Sequence, residues 1–131
     1  MVVDTSALVA ILLREKERFI FENLVLNAPT VVMSVVSVVE TTIVLIAQRQ
    51  NPEAEMLDEI LRQLRIDIRG VDTMQGTLAR NAFQRFGRRQ SPAALNFGDC
   101  FAYALAKATG ESLLFIGADF AHTDITPAAI V

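Results

Sequence analysis

Thr30-Val31-Val32-Met33-Ser34-Val35-Val36-Ser37-Val38-Val39-Glu40 is the stretch on which the fold turns. Its many β-branched residues favour strand. The run is too long for one strand, however, and Val36, Val39, Ile43 and Ala47 recur at helical spacing. We therefore read a strand over Thr30 to Met33, with Ser34 capping a helix that reaches Gln50. Glu40 follows Val36 by one turn and projects from the same apolar face. A glutamate on a core-facing stripe needs a compensating partner, because burying an unpaired charge is costly.

The same strand-then-helix pattern extends in both directions. Val2-Val3 is a short buried strand ended by Asp4-Thr5-Ser6, where Thr5 or Ser6 caps a helix over Ala7 to Leu13. A second helix runs from about Glu15 to Leu26, with Phe19, Leu24 and Leu26 among its apolar positions, and Ala28-Pro29 breaks it. Asn51-Pro52 opens a helix to about Leu64. Ile66-Asp67-Ile68 alternates as a strand, and Asp72 caps a helix that Gly87 stops after Phe86. A loop to Phe97 follows. Asn96 or Gly98 starts a helix ended by Gly110, and Leu113 to Ile116 is the fourth strand. Helices alternating with short apolar strands predict an α/β fold with a parallel sheet and helices on both faces. The 131 residues fit one domain, with no linker or repeat.

Four acids stand in or beside apolar stretches at the places this fold builds sites: Asp4, Glu40, Asp99 and Asp119. Asp4 and Asp119 directly follow strands, beyond whose carboxyl ends such sheets bind ligands. Asp99 lies in the first turn of a helix, where the dipole favours negative charge. At separations of about 5 Å and an effective dielectric of about 20, each ionised pair repels by roughly 3 kcal/mol. A hard cation such as Mg²⁺ or Mn²⁺ turns that repulsion into coordination. It also acidifies water and offsets charge on a phosphate, so the pattern points to metal-dependent chemistry on phosphate esters. Thr5 and Ser6 are candidates to support the first acid by hydrogen bonding, with helix capping as the alternative. Asp124 is a candidate outer ligand, with a loop or capping role as the alternative.

Composition bounds the partners. Hydrophobic residues make up 52% and mean hydropathy is +0.37, more apolar surface than a small core needs. The excess fits either self-association or helical layers on both sheet faces. Net charge is -3, so nucleic acid binding would depend on local basic patches. Cys100 is the only cysteine, which excludes an intramolecular disulfide and a multi-cysteine zinc site. The longest apolar run, Val31 to Val39, is interrupted by serines and too short to span a bilayer. No signal-peptide pattern precedes the first strand, so the expected setting is cytoplasmic without membrane association.

Four pieces, in order along nearly the whole chain, carry a family resemblance. They are Val2-Val3-Asp4-Thr5-Ser6-Ala7-Leu8, Val39-Glu40-Thr41, Asn96-Phe97-Gly98-Asp99-Cys100-Phe101-Ala102-Tyr103-Ala104-Leu105-Ala106, and Leu113-Leu114-Phe115 with Gly117-Ala118-Asp119-Phe120. The third is the most specific. Together they resemble the PIN-domain ribonucleases, in particular the VapC-type toxins of bacterial toxin–antitoxin pairs. The resemblance implies a three-layer α/β/α sandwich around a parallel sheet, a homodimer, and Mg²⁺- or Mn²⁺-dependent endonuclease cleavage of RNA, often transfer RNA. It implies that Asp4, Glu40, Asp99 and Asp119 form the metal site, and that a small antitoxin blocks it. Ala118 departs from the polar or acidic residue that many relatives carry there.

Other residues are weaker candidates. Arg85, Arg88 and Arg89 frame the loop before Asp99 and are candidate RNA phosphate contacts, the alternative being a solvated basic loop. Tyr103 is read as core rather than a stacking platform, and His122 as a surface residue rather than a general base. A dehalogenase-like phosphatase would need an aspartate where Ser6 stands. A receiver domain would need clustered early acids and a late lysine. The six glycines form neither a P-loop nor a dinucleotide fingerprint. A PIN fold serving only as an interaction partner is the remaining rival, and four intact acids weigh against it.

Overall fold

The computed structural model describes residues 1–48 and 54–129. Within them the chain runs β1 (Val2–Val3), α1 (Thr5–Leu12), α2 (Arg18–Asn27), β2 (Val31–Ser34), α3 (Val35–Ala47), α4 (Ala54–Gln63), β3 (Ile66–Arg69), α5 (Thr73–Phe86), α6 (Phe97–Thr109) and β4 (Leu113–Leu114). The strands form one parallel sheet in the order β3-β2-β1-β4. The expected α/β architecture is therefore present, and the decisive stretch divides as read: β2 passes directly into α3 at Ser34, whose side chain accepts from Val36 N. The expected helix start at Asn51-Pro52 and the expected end of α3 at Gln50 lie outside the described residues.

Alternation along the strands makes the three layers. Val2, Val32, Leu113 and Phe115 turn to one face, against Ala79 and Ala82 of α5 and Ala102 and Leu105 of α6. Val3, Val31, Met33, Ile66 and Leu114 turn to the other, against Leu8 and Ile11 of α1, Phe21 and Val25 of α2, and Leu57 and Leu61 of α4. A strand buried on both faces reads as a continuous apolar run, as β1 and β4 do, whereas the edge strand β3 alternates and is exposed after Ile66.

Four local expectations are corrected. Asp4, rather than Thr5 or Ser6, caps α1: its carboxylate accepts from Ser6 N at 2.9 Å. β4 stops at Leu114 because Ile116 N leaves the ladder to donate to Ser6 Oγ at 3.0 Å. In α2 the inward residues are Phe21 and Val25, one turn apart, while Phe19 and Leu26 face out. In α3 the stripe is reversed: Ser37, Thr41 and Leu45 are buried, whereas Val39 and Ile43 are 56% and 60% exposed. The inward position goes to small polar residues because α1 crosses α3 closely. Ser37 O accepts from both Thr41 Oγ1, at 2.8 Å, and Thr5 Oγ1, at 3.1 Å.

Phe21→Ala is expected to lower the unfolding free energy by about 3–5 kcal/mol through transfer and cavity terms. Phe19→Ala, at a position 75% exposed, is expected to change it by less than about 0.5 kcal/mol. Urea denaturation checks both, and comparable losses would contradict this assignment of the α2 faces.

Candidate active site at the carboxyl edge of the sheet

Adjacent parallel strands deliver their following residues to the same edge. β1 and β4 pair directly, with Val3 opposite Leu114. Asp4 therefore emerges opposite Phe115, in the same cleft as Ile116, and Asp119 follows on the turn after β4. Glu40, in the second turn of α3, and Asp99, in the first turn of α6, complete the group. All four carboxylates line one cleft of about 260 Å³, together with Thr5, Ser6, Asn96 and Ile116. Larger cavities lie elsewhere, including one of about 380 Å³ bordered by α1, α2 and α4, but none holds any of the four acids. Charge, rather than volume, marks the site.

Asp4 is 3% exposed. Ser6 donates to its Oδ2 twice, from the backbone N at 2.9 Å and from Oγ at 2.6 Å. Its Oδ1 is buried and has no hydrogen-bond partner. Burial pushes the carboxyl up to about 6; the Ser6 hydrogen bonds work against that rise and the charge of Glu40 adds to it. Asp99 is 8% exposed and sits in a reciprocal cap: Asn96 N donates to Asp99 Oδ2 and Asp99 N donates to Asn96 Oδ1, both at 2.9 Å. Burial pushes it up to about 7. The Asn96 hydrogen bond opposes this, and Asp4, Glu40 and Asp119 raise it further. Glu40 is half-buried and Asp119 exposed at the rim. Among the described residues no lysine or arginine forms an ion pair with any of the four. The compensating partner that Glu40 needs is therefore not a basic side chain among the described residues.

The donor set fits a hard divalent cation. It is all carboxylate oxygen, mutually repulsive, and includes a buried oxygen that lacks any protein donor. No group of three His, Cys, Asp or Glu among the described residues is already arranged around a metal-sized space.

Other sequence candidates lie apart from the cleft. Asp124 accepts from Tyr103 Oη at 2.8 Å and Lys107 Nζ at 3.0 Å, and Arg85 stands 3.7 Å away. Although partial burial raises it, these hydrogen bonds and the Lys107 charge bring its carboxyl below the usual range. It thus pins the segment after Phe120 to α6 and is not among the cleft residues. Arg85 lies over the Phe86 ring at 4.6 Å. Arg88, Arg89 and His122 are exposed outside the cleft. Tyr103 is core, its ring 5.8 Å from that of Phe86, and Cys100 is a buried thiol pushed up to about 11 by burial. Two positioning groups went unread in the sequence. Asn96 was legible only as a cap, although Asn-x-x-Asp spacing is a reciprocal-cap signature. The Ser6–Ile116 link joins groups 110 residues apart and leaves no local signal.

A parallel sheet with four acids gathered at its carboxyl edge defines a carboxylate-cluster α/β protein. Residues 1–125 match the PIN domain. The chain is 43% identical over 125 residues to a Ribonuclease VapC of Mycolicibacterium smegmatis, covering 95% of this chain and 97% of that one. It is 42% identical over 130 residues to Ribonuclease VapC30 of Mycobacterium tuberculosis, covering 99% of each. Among solved structures it resembles M. tuberculosis VapC20, described as a sarcin-ricin loop cleaving toxin, with TM-score 0.68, 18% identity and coverage of 96% and 98%. It also resembles a toxin-antitoxin complex from Klebsiella pneumoniae, with TM-score 0.69, 15% identity and coverage of 99% and 98%. The chain belongs to the PIN-domain family and, within it, to the VapC ribonucleases.

The raised carboxyls make stability depend on pH in the metal-free protein. Between the ordinary value of 3.8 and about 7, the folded state holds more protons than the unfolded state. Unfolding free energy should therefore fall as pH rises through that window. Urea denaturation in EDTA from pH 4 to 8 checks this. Asp99→Asn should flatten the slope and be more stable than the parent at pH 8. An unchanged slope would mean that the carboxyls are not buried and crowded as placed.

Proposed function

We propose that this chain is a metal-dependent endoribonuclease toxin of a bacterial toxin–antitoxin pair, hydrolysing RNA phosphodiester bonds with residues 1–131 as one nuclease domain. The observation that carries the reading is the buried, partnerless Oδ1 of Asp4 in a cleft with Glu40, Asp99 and Asp119. The VapC ribonuclease relatives, alike over nearly their full length, support the RNA-cleaving activity.

In this reading Asp4, Glu40, Asp99 and Asp119 hold Mg²⁺ or Mn²⁺. When bound, such an ion supplies an acidified water and offsets negative charge on the scissile phosphate. The chain's own residues prepare the oxygens. Ser6 occupies Asp4 Oδ2, so Oδ1 is the free ligand. Because Ser6 Oγ also accepts from Ile116 N, it ties that carboxylate to the end of β4. Asn96 holds Asp99 Oδ2 and leaves its other oxygen available. Ionised carboxylates bind the cation, so the elevated values for Asp4 and Asp99 mean that binding displaces protons. Thr5 braces α1 against α3 and fixes the spacing between Asp4 and Glu40. Exposed Arg88 and Arg89, on the loop leading into Asn96, are the candidate RNA phosphate contacts, whereas Arg85 directs its charge to Asp124.

Partners follow from the same reading. RNA, with transfer RNA as one candidate, is the substrate, and a small antitoxin is the inhibitor, in line with the complex from K. pneumoniae. The outward stripe of Val35, Val39, Ile43 and Ile46 on α3 fits a second copy of this chain. No helix among the described residues is long and apolar enough to cross a membrane, and a cytoplasmic setting suits the substrate.

Purified protein should cleave RNA with Mg²⁺ or Mn²⁺ and stop in EDTA. Asp4→Asn should lower the rate by at least about a hundredfold while the protein stays folded, since even partners of metal ligands are worth 10–100-fold. Full activity in folded Asp4→Asn would remove the site assignment. For the dimer, sedimentation at micromolar concentration should show two copies, and Ile43→Lys should shift the protein to monomer. A monomeric parent chain would refute the α3 contact.

A further inference from the structure

Gly98 precedes Asp99 in the first turn of α6. Its backbone is helical, and it is not among the residues with positive φ. Nothing in the backbone therefore asks for glycine, which is a poor helix former. Space does ask for it. A Cβ on Gly98 would stand 2.5 Å or less from Cδ, Oε1 and Oε2 of Glu40. Gly70, Gly76, Gly110 and Gly117 have no atom within 4 Å of such a Cβ, and Gly87 would meet Phe83. Gly98 alone among the glycines abuts a carboxylate of the cleft.

We infer that Gly98 is a positioning residue: its bare α-carbon forms the slot that seats the Glu40 carboxylate beside Asp99. The inference rests on the reading of Glu40 as part of the nuclease site. Glu40 has no basic ion-pair partner among the described residues, so charge pairing does not orient it. Its carboxylate is the end of a flexible side chain. A methyl group at position 98 would displace it by side-chain rotation, leaving α3 and α6 in place. The fold would absorb the change and the cleft would lose one carboxylate.

The test uses Gly98→Ala, Glu40→Asp, the two combined, and Glu40→Gln as control. Mn²⁺ affinity is read without RNA by electron paramagnetic resonance, alongside thermal stability and RNA cleavage. Gly98→Ala should remain folded with a melting temperature equal to or above the parent's, yet bind Mn²⁺ about tenfold more weakly and cleave more slowly. Adding Glu40→Asp should recover part of that loss, because the shorter side chain clears the new methyl. Such recovery is a coupling that independent sites would not show. If Gly98→Ala instead destabilises the protein, Glu40→Asp should restore the melting temperature when the clash is with Glu40, and failure to restore it overturns the inference. Unchanged Mn²⁺ affinity and cleavage in Gly98→Ala, with both lost in Glu40→Gln, overturns the positioning role alone. Unchanged values in Glu40→Gln overturn the assignment of Glu40 to the site, and the role of Gly98 with it.

Discussion

Everything at the functional edge is organised around a carboxylate that is buried but only half satisfied. Asp4 sits at the end of β1 with one oxygen held twice by Ser6 and the other held by nothing. A buried charge without a partner is among the most costly groups a protein can carry. Neighbouring carboxylates make it worse, and the raised values of Asp4 and Asp99 record burial first and that repulsion second. Once ionised, such a cluster lowers the stability of the fold rather than adding to it. On the function proposed above it is a cation site kept ready at some cost in stability, a common relation between function and stability.

The sheet supplies the geometry with little material. β1 and β4 are two residues each in the ladder, yet they are central and adjacent, respectively, in the order β3-β2-β1-β4. Their pairing brings residue 4 opposite residue 115. Ser6 then converts that proximity into a hydrogen-bonded link between the first acid and the last strand. On the flanks, Thr5 and Thr41 share the Ser37 carbonyl, which sets how close α1 lies to α3 and so where Glu40 arrives. Asn96 does the same for Asp99 by capping α6. Asp4, Glu40 and Asp99 thus each have a positioning device of their own, and the devices differ because the elements that carry them differ.

The apolar excess in the composition divides between two destinations. A two-sided sheet with helices on both faces uses much of it, in the two clusters around Val2 and Val3. Much of the rest lies outside, including Phe19, Ile20 and Leu26 of α2 and the outward stripe of α3. The helical layers account for the covered part, and self-association is the proposal for the residues that the core leaves uncovered.

Local chemistry made much of this protein legible in one dimension. Strand and helix alternation followed from apolar runs, turn residues and caps such as Asp72 and Asn96, all of which act within a few residues. The four acids stood out because carboxylates in apolar stretches are conspicuous whatever the fold. Which face of a helix turns inward was not legible: α3 shows a good apolar stripe, and the structure buries the opposite, small polar side. Helical spacing reports that a face exists, while close approach of α1 decides which one is covered. The shortening of β4, the tie from Ser6 to Ile116 and the slot at Gly98 were equally invisible. Residue types and local order were determined by the sequence, because propensity and capping are near-neighbour effects. The partnering of groups more than a hundred residues apart, and the space left beside Glu40, were decided only when the strands paired and the helices packed.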